Sequence, residues 1–163
     1  MQPQRLEPQE GQESVWDYPR PPVTDPTDAL ITVAFGDHEI VRTTSAIRVL
    51  ETSQPPAFYI PRDHVDMSML EPCIGRSFCE WKGDATYFDL LSDDGRIEQV
   101  AWTYESPNPA FGAITGYLAF YAQKVDCAVD GERVEPNEGS FYGGWITSRV
   151  VGPFKGSPGS NWW

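Results

Sequence analysis

The chain has 163 residues and a formal net charge of −12, from 24 Asp and Glu against 12 Lys and Arg, a length that supports one domain with a sizeable core. So acidic a surface repels phosphate at long range, which argues against nucleic acid or an anionic membrane as a partner. With 14 glycines, 15 prolines and a 13% aromatic content, short strands and tight turns are favoured over long helices, and the class expected is mainly β.

Residues 1–28 are rich in Gln, Glu and Pro, with Val15, Trp16 and Tyr18 as apolar anchors. This composition predicts a flexible acidic, Pro-rich arm, disordered over its first dozen residues and extended across the domain at residues 14–22, where prolines bar helix and central strand. A β domain is expected over residues 29–137. Residues 30–35 alternate as a strand, Gly36 and Asp37 turn the chain, and residues 38–43 return as its hairpin partner. Thr44 or Ser45 is placed to cap a short turn before residues 47–51, and residues 58–60 read as strand after Pro55 and Pro56. Asp63 is expected to cap a turn around residues 65–69, with Met69 and Leu70 anchoring the loop and His64 on the surface.

Residues 79–89 carry the densest chemistry: a thiol, a cation, acids and three aromatics. Strand alternation puts Trp81, Gly83, Ala85, Tyr87 and Asp89 on one face and Lys82, Asp84, Thr86 and Phe88 on the other. Gly83 interrupts the run, marking a bulge or a close approach of backbone or ligand. The plainer reading is an amphipathic strand with a solvated lysine; the sharper one sets Lys82 at the mouth of an aromatic cleft. After a turn at residues 92–95, residues 96–104 pair back, bringing Trp102 and Tyr104 onto one face.

A helix is expected within residues 107–117, with Asn108 as N-cap, Pro109 at its first position and Phe111, Ile114 and Leu118 at helical spacing. Residues 118–121 read as strand, and Asp130 and Gly131 turn the chain between residues 127–129 and 132–134. Residues 138–163 form a Gly-rich aromatic extension with Phe141, Tyr142, Trp145, Trp162 and Trp163, expected to pack on the domain or on a partner chain.

These blocks have a familiar order: Val49-Leu-Glu-Thr52, Pro55-Pro56, Tyr59-Ile-Pro61 and Cys79-x-Trp-Lys-Gly-x-Ala-x-Tyr87, then Ala101-Trp-x-Tyr104, Ala119-Phe-Tyr121 and Asp130-Gly-Glu132. Over about residues 30–135 the chain resembles the domain of unknown function 427 family, small proteins sometimes labelled nucleotidyltransferase-like. The resemblance implies a compact antiparallel β domain, similar to the two-sheet tent fold of zinc-binding relatives or to a barrel, with one or two short helices. Glu80 departs from the family, which more often has Pro there.

Such tent-fold relatives hold zinc with two Cys-x-x-Cys pairs, which Cys73, Cys79 and Cys127 with His38 and His64 do not supply, so neither metal nor cofactor is expected. Three unpaired cysteines suit a reducing compartment, and no apolar run reaches membrane-spanning length nor does the N-terminus read as a signal peptide, so the cytoplasm is expected. A nucleophilic Cys79 would need a base that no histidine offers by position, and a buried structural thiol is the plainer reading. Glu51, Asp84, Asp89 and Asp126 are acid–base candidates that serve equally well as turn or edge residues.

Three functional classes follow. The first is a binding module whose cleft is lined by Arg48, Glu51, Tyr59, Trp81, Lys82, Tyr87, Trp102, Tyr104 and Tyr121, aromatic walls with a few polar groups for a small polar or anionic ligand; against it stands the reading of these aromatics as plain core. The second is a nucleotidyltransferase-like enzyme, for which no Gly-rich loop opening a helix is present. The third is a non-catalytic homodimer joined through the C-terminal extension.

Overall fold

In the computed structural model, which describes residues 3–79, 81–138, 143–156 and 159–163, prolines confine the N-terminal arm to short extended pieces. These are β1 (Glu13–Ser14), a 3-10 turn at Val15–Asp17 and β2 (Val23–Pro26). β3 (Ile31–Phe35) and β4 (His38–Thr43) form the hairpin that their alternation predicts, with Ile31 and Val33 buried. β5 (Ile47–Leu50) and β6 (Ala57–Tyr59) are followed by 3-10 turns at Arg62–His64 and Met67–Met69. The capping residue here is Asp66 and not Asp63. It stands directly before Met67 with extended backbone, so its carboxylate accepts from the Ser68 amide at 3.1 Å. His64 is exposed, as expected.

β7 (Leu70–Cys79), β8 (Gly83–Ser92) and β9 (Gly95–Thr103) run as an antiparallel meander. A 3-10 segment at Pro109–Ile114 stands where the helix is expected. Pro109 starts it and Phe111 and Ile114 are its buried pair, but Phe111 leaves helical geometry at φ −113°, ψ 20°. β10 (Leu118–Phe120), β11 (Asp126–Val129), β12 (Glu132–Arg133), β13 (Glu135–Pro136), β14 (Trp145–Ile146) and β15 (Val150–Val151) complete the chain.

Three larger sheets result: β10-β9-β8-β7, β12-β11-β3-β4 and β2-β5-β6, with β13-β14 and β1-β15 as two-stranded ribbons. The class is mainly β and antiparallel, as expected, and none of these sheets closes into a barrel. β1 and β15 are the parallel exception. Through this ribbon the arm and the C-terminal segment meet, and Val15, Tyr18 and Val150 pack together there with Phe154. The Leu6 amide also donates to the Gly152 carbonyl at 3.1 Å.

The meander separates two apolar clusters. On β8, Phe88 and Leu90 turn toward Ile31, Val33, Val41 and Phe120 in the main core. Ala85 and Tyr87, of opposite parity, turn toward Tyr59, Trp102 and Phe111 in an aromatic cluster. This second cluster carries the candidate site. Glu80, Phe141 and Tyr142, singled out in the sequence, lie outside the described residues.

Candidate functional site

The stretch 79–89 is not one strand. Cys79 pairs with Gly83 across a turn that holds Trp81 and Lys82, and Gly83 takes φ +104°, a conformation open to glycine. Alternation therefore does not separate Trp81 from Lys82, and both line the same cavity as Tyr87. Asn108 holds the turn in place: its side-chain amide donates to the Trp81 carbonyl at 2.6 Å and its backbone amide to the Lys82 carbonyl at 3.0 Å. That use of its side chain explains why Asn108 makes no side-chain cap to the 3-10 segment it precedes.

The cavity measures about 260 Å³. Its floor is the aromatic cluster, centred on Trp102. The Trp102 ring lies 4.6 Å from that of Tyr121 and edge-on to Tyr59 at 6.1 Å, where its Nε1 donates to the Tyr59 hydroxyl at 3.1 Å. Tyr104 closes on Tyr59 at 6.3 Å between centroids. Burial raises the pKa of Tyr59, Tyr104 and Tyr121, and the hydroxyls are engaged within the cluster, Tyr59 with Tyr104 and Tyr121 with Tyr87.

Lys82 enters this aromatic setting half-buried. Its Nζ stands 5.9 Å from the ring centroids of both Tyr104 and Phe111, within cation–π range. Burial is the largest single influence on the ammonium and works against its charge. The pull of Tyr59, Cys79 and Glu51 outweighs it, and the pKa of Lys82 lies above its ordinary value. Among the described residues no carboxylate lies within ion-pair distance of Lys82, and Glu51 is the one carboxylate lining the cavity.

The structure thus brings Glu51, Tyr59, Trp81, Lys82, Tyr87, Trp102, Tyr104 and Tyr121 to one cavity. Arg48 is the correction. β5 directs Ile47 and Val49 into the aromatic cluster, so Arg48, one residue out of phase, points to the opposite face. There it is 17% exposed and paired with Glu13 at 2.8 Å and Asp25 at 2.6 Å. Glu51 shares the parity of Ile47 and Val49 and returns to the cavity.

Of the other chemical candidates, Cys79 lines the cavity half-buried as a free thiol. Asp84 is exposed, and Asp126 is exposed and pairs with Arg133 at 2.8 Å. Asp89 is buried on the meander, held by Arg96 and the Gln99 amide. His38 pairs with Asp66 at 2.8 Å and His64 meets the Thr43 hydroxyl at 2.6 Å, neither at the cavity. Among the described residues no three His, Cys, Asp or Glu side chains converge as metal ligands.

The rest of the wall was not among the expected site residues. Gln54 and Pro55 supply one side, Gly143, Gly144 and Lys155 another. The glycine pair is sterically required: a Cβ on Gly143 would stand 2.6 Å from Trp102 Cζ3, and one on Gly144 would stand 2.8 Å from Pro55 Cγ. Two adjacent glycines before a tryptophan were the available signal, since backbone that must lie flat on other groups needs glycine.

Sheets and cavity together define a small antiparallel β domain built round a buried aromatic cluster. The chain belongs to the family described as Domain of unknown function (DUF427), labelled NTP_transf_9, whose model matches residues 23–131. A comparison with curated proteins found no match. Gly143, Gly144 and Lys155 therefore close the cavity from beyond the matched residues. No helix is long and apolar enough to cross a membrane among the described residues.

Proposed function

We propose that this domain is a binding module that takes a small polar or anionic ligand into the aromatic cavity, acting in the cytoplasm, where its three free thiols stay reduced. The observation that carries the reading is Lys82: an ammonium held inside an aromatic enclosure, with no carboxylate partner among the described residues at ion-pair distance. A ligand anion would complete that pair, and the rings of Trp81, Tyr87 and Tyr104 would supply stacking surface. The nucleotidyltransferase label of the family calls for carboxylates gathered on a divalent ion and a phosphate cradle, and a cavity with Glu51 as its one described carboxylate supports binding better.

A thermal-shift screen of small carboxylates, sugar phosphates and nucleotides, with calorimetry on each hit, tests this. Lys82→Met should weaken an anionic hit about 10- to 100-fold, the worth of one charge-assisted hydrogen bond of about 1.5–3 kcal/mol, while the unfolding midpoint of the free protein changes little. Unchanged affinity would remove Lys82 from the site.

A second reading, self-association through the C-terminal segment, is favoured by Trp162, which is 59% exposed beside Trp163, itself packed on Trp16 at 5.6 Å. Light scattering should then give a dimer mass for the natural chain and a monomer mass for Trp162→Ser; a monomer mass for both dismisses it.

A further inference from the structure

We infer that the cavity selects a single-ring aromatic monoanion, an arene carboxylate bearing one hydrogen-bonding substituent, over nucleotides and phosphate esters. This deepens the binding reading and rests on it. Three observations converge.

Size comes first. Cavities of about 150 Å³ admit a benzene-sized ring, and drug-sized ligands occupy about 300–1,000 Å³. At about 260 Å³ the cavity takes one ring with substituents, and the sugar and phosphates of a nucleotide would extend beyond it. The wall cannot retreat on the Gly143–Gly144 side, because that backbone already lies against Trp102 and Pro55.

Charge comes second. Lys82 lines the cavity with no carboxylate among the described residues at ion-pair distance, leaving one ammonium to meet a ligand. One carboxylate balances that. A second negative charge on the ligand would face Glu51, and it would enter against a protein whose formal charge is −12, a field screened only beyond about 10 Å at 0.1 M salt. A dianion is penalised twice, at encounter and in the bound state.

The polar groups come third. Glu51 accepts hydrogen bonds and Gln54 both donates and accepts, so the ring substituent that fits beside them is a hydroxyl or amino group. The protein would thus read ring, charge and substituent at once.

Calorimetry on the full chain at pH 8 tests the inference with four probes: 4-hydroxybenzoate, 4-hydroxybenzamide, phenyl phosphate and adenosine monophosphate. At that pH the two phosphate esters are dianions, their second pKa being about 6. The expected result is binding of 4-hydroxybenzoate at least tenfold tighter than of the amide or of phenyl phosphate, with no heat from the nucleotide. In Lys82→Met the carboxylate and the amide should bind alike, and retained amide binding shows that the cavity is still formed. Equal affinity of acid and amide for the natural chain overturns the charge argument, and tighter phenyl phosphate or nucleotide overturns the monoanion. If no probe in this set binds while the wider screen yields a sugar phosphate, the inference fails and the binding reading stands. Silence from probes and screen alike defeats both.

Discussion

Trp145→Ala should cost about 3–5 kcal/mol, the usual loss for truncating a large buried aromatic, against a total stability of about 5–15 kcal/mol for a domain of this kind. Trp145 is 1% exposed, stacks on Phe58 at 5.0 Å and donates from Nε1 to the Phe120 carbonyl at 2.9 Å. Its backbone amide donates to the Pro56 carbonyl at 2.8 Å. Trp145 therefore lies in the main core with Ile31, Val33 and Leu90, although it stands 14 residues beyond Gly131, where the family match ends. Residues 23–131 alone would leave that core open. Urea unfolding followed by circular dichroism measures the effect: the midpoint should fall steeply for Trp145→Ala. It should fall less for Trp145→Phe, which keeps most of the volume and leaves the Phe120 carbonyl without its donor, about 1–3 kcal/mol. A Trp145→Ala variant within 1 kcal/mol of the natural chain would show that the C-terminal segment is not part of the core.

That dependence explains what could and could not be read from the amino acids alone. The hairpin of β3 and β4 was legible because residues 31–43 alternate around Gly36 and Asp37. The turn between β11 and β12 was legible because Asp130 and Gly131 suit two consecutive positive φ angles, here 48° and 82°. Both signals are local. The aromatic cavity was partly legible for a similar reason: Tyr87 and Trp102 lie on strands whose parity is set within a few residues, and Tyr104 stands one residue beyond the end of β9.

Arg48 was misplaced because residues 47–51 were read as following a capped turn, so the parity that separates Arg48 from Glu51's face was not applied. Lys82 joined the cavity for a reason alternation cannot express, since a turn frees it from strand parity. Gly143, Gly144 and Lys155 reach the site across 39 residues or more from Trp102 and Tyr104, and no local pattern records such a closure. The glycine pair records only that something must lie close.

Asp89→Ala should destabilise the fold by about 1.5–3 kcal/mol, the worth of hydrogen bonds to a buried charge, and should flatten the acid limb of the stability profile. The β8–β9 ladder slips between Phe88 and Leu90, and opposite the slip Gln99 adopts φ +51°. A bulge of this kind leaves a backbone amide without a ladder partner. The Asp89 carboxylate, 6% exposed, supplies it: Oδ1 accepts from the Gln99 amide at 2.9 Å and Oδ2 from Arg96 at 2.8 Å. Burial alone would raise the carboxyl's pKa, but the Gln99 amide, Arg96 and Cys73 together hold it below the ordinary value. The folded state thus binds this proton less readily than the unfolded chain does. The stabilisation is complete above the unfolded pKa of about 3.9 and drains away as the pH falls through the lower folded value. Denaturant unfolding of the natural chain between pH 7 and pH 2 should show that loss in its lowest part, and Asp89→Ala should lack it. Asp89→Asn separates the two contacts: its amide oxygen can still accept from Gln99, so it should retain part of the stability at pH 7 while losing the pH dependence due to this group. An Asp89→Asn profile that falls as steeply below pH 4 as that of the natural chain would assign the acid sensitivity to other carboxylates.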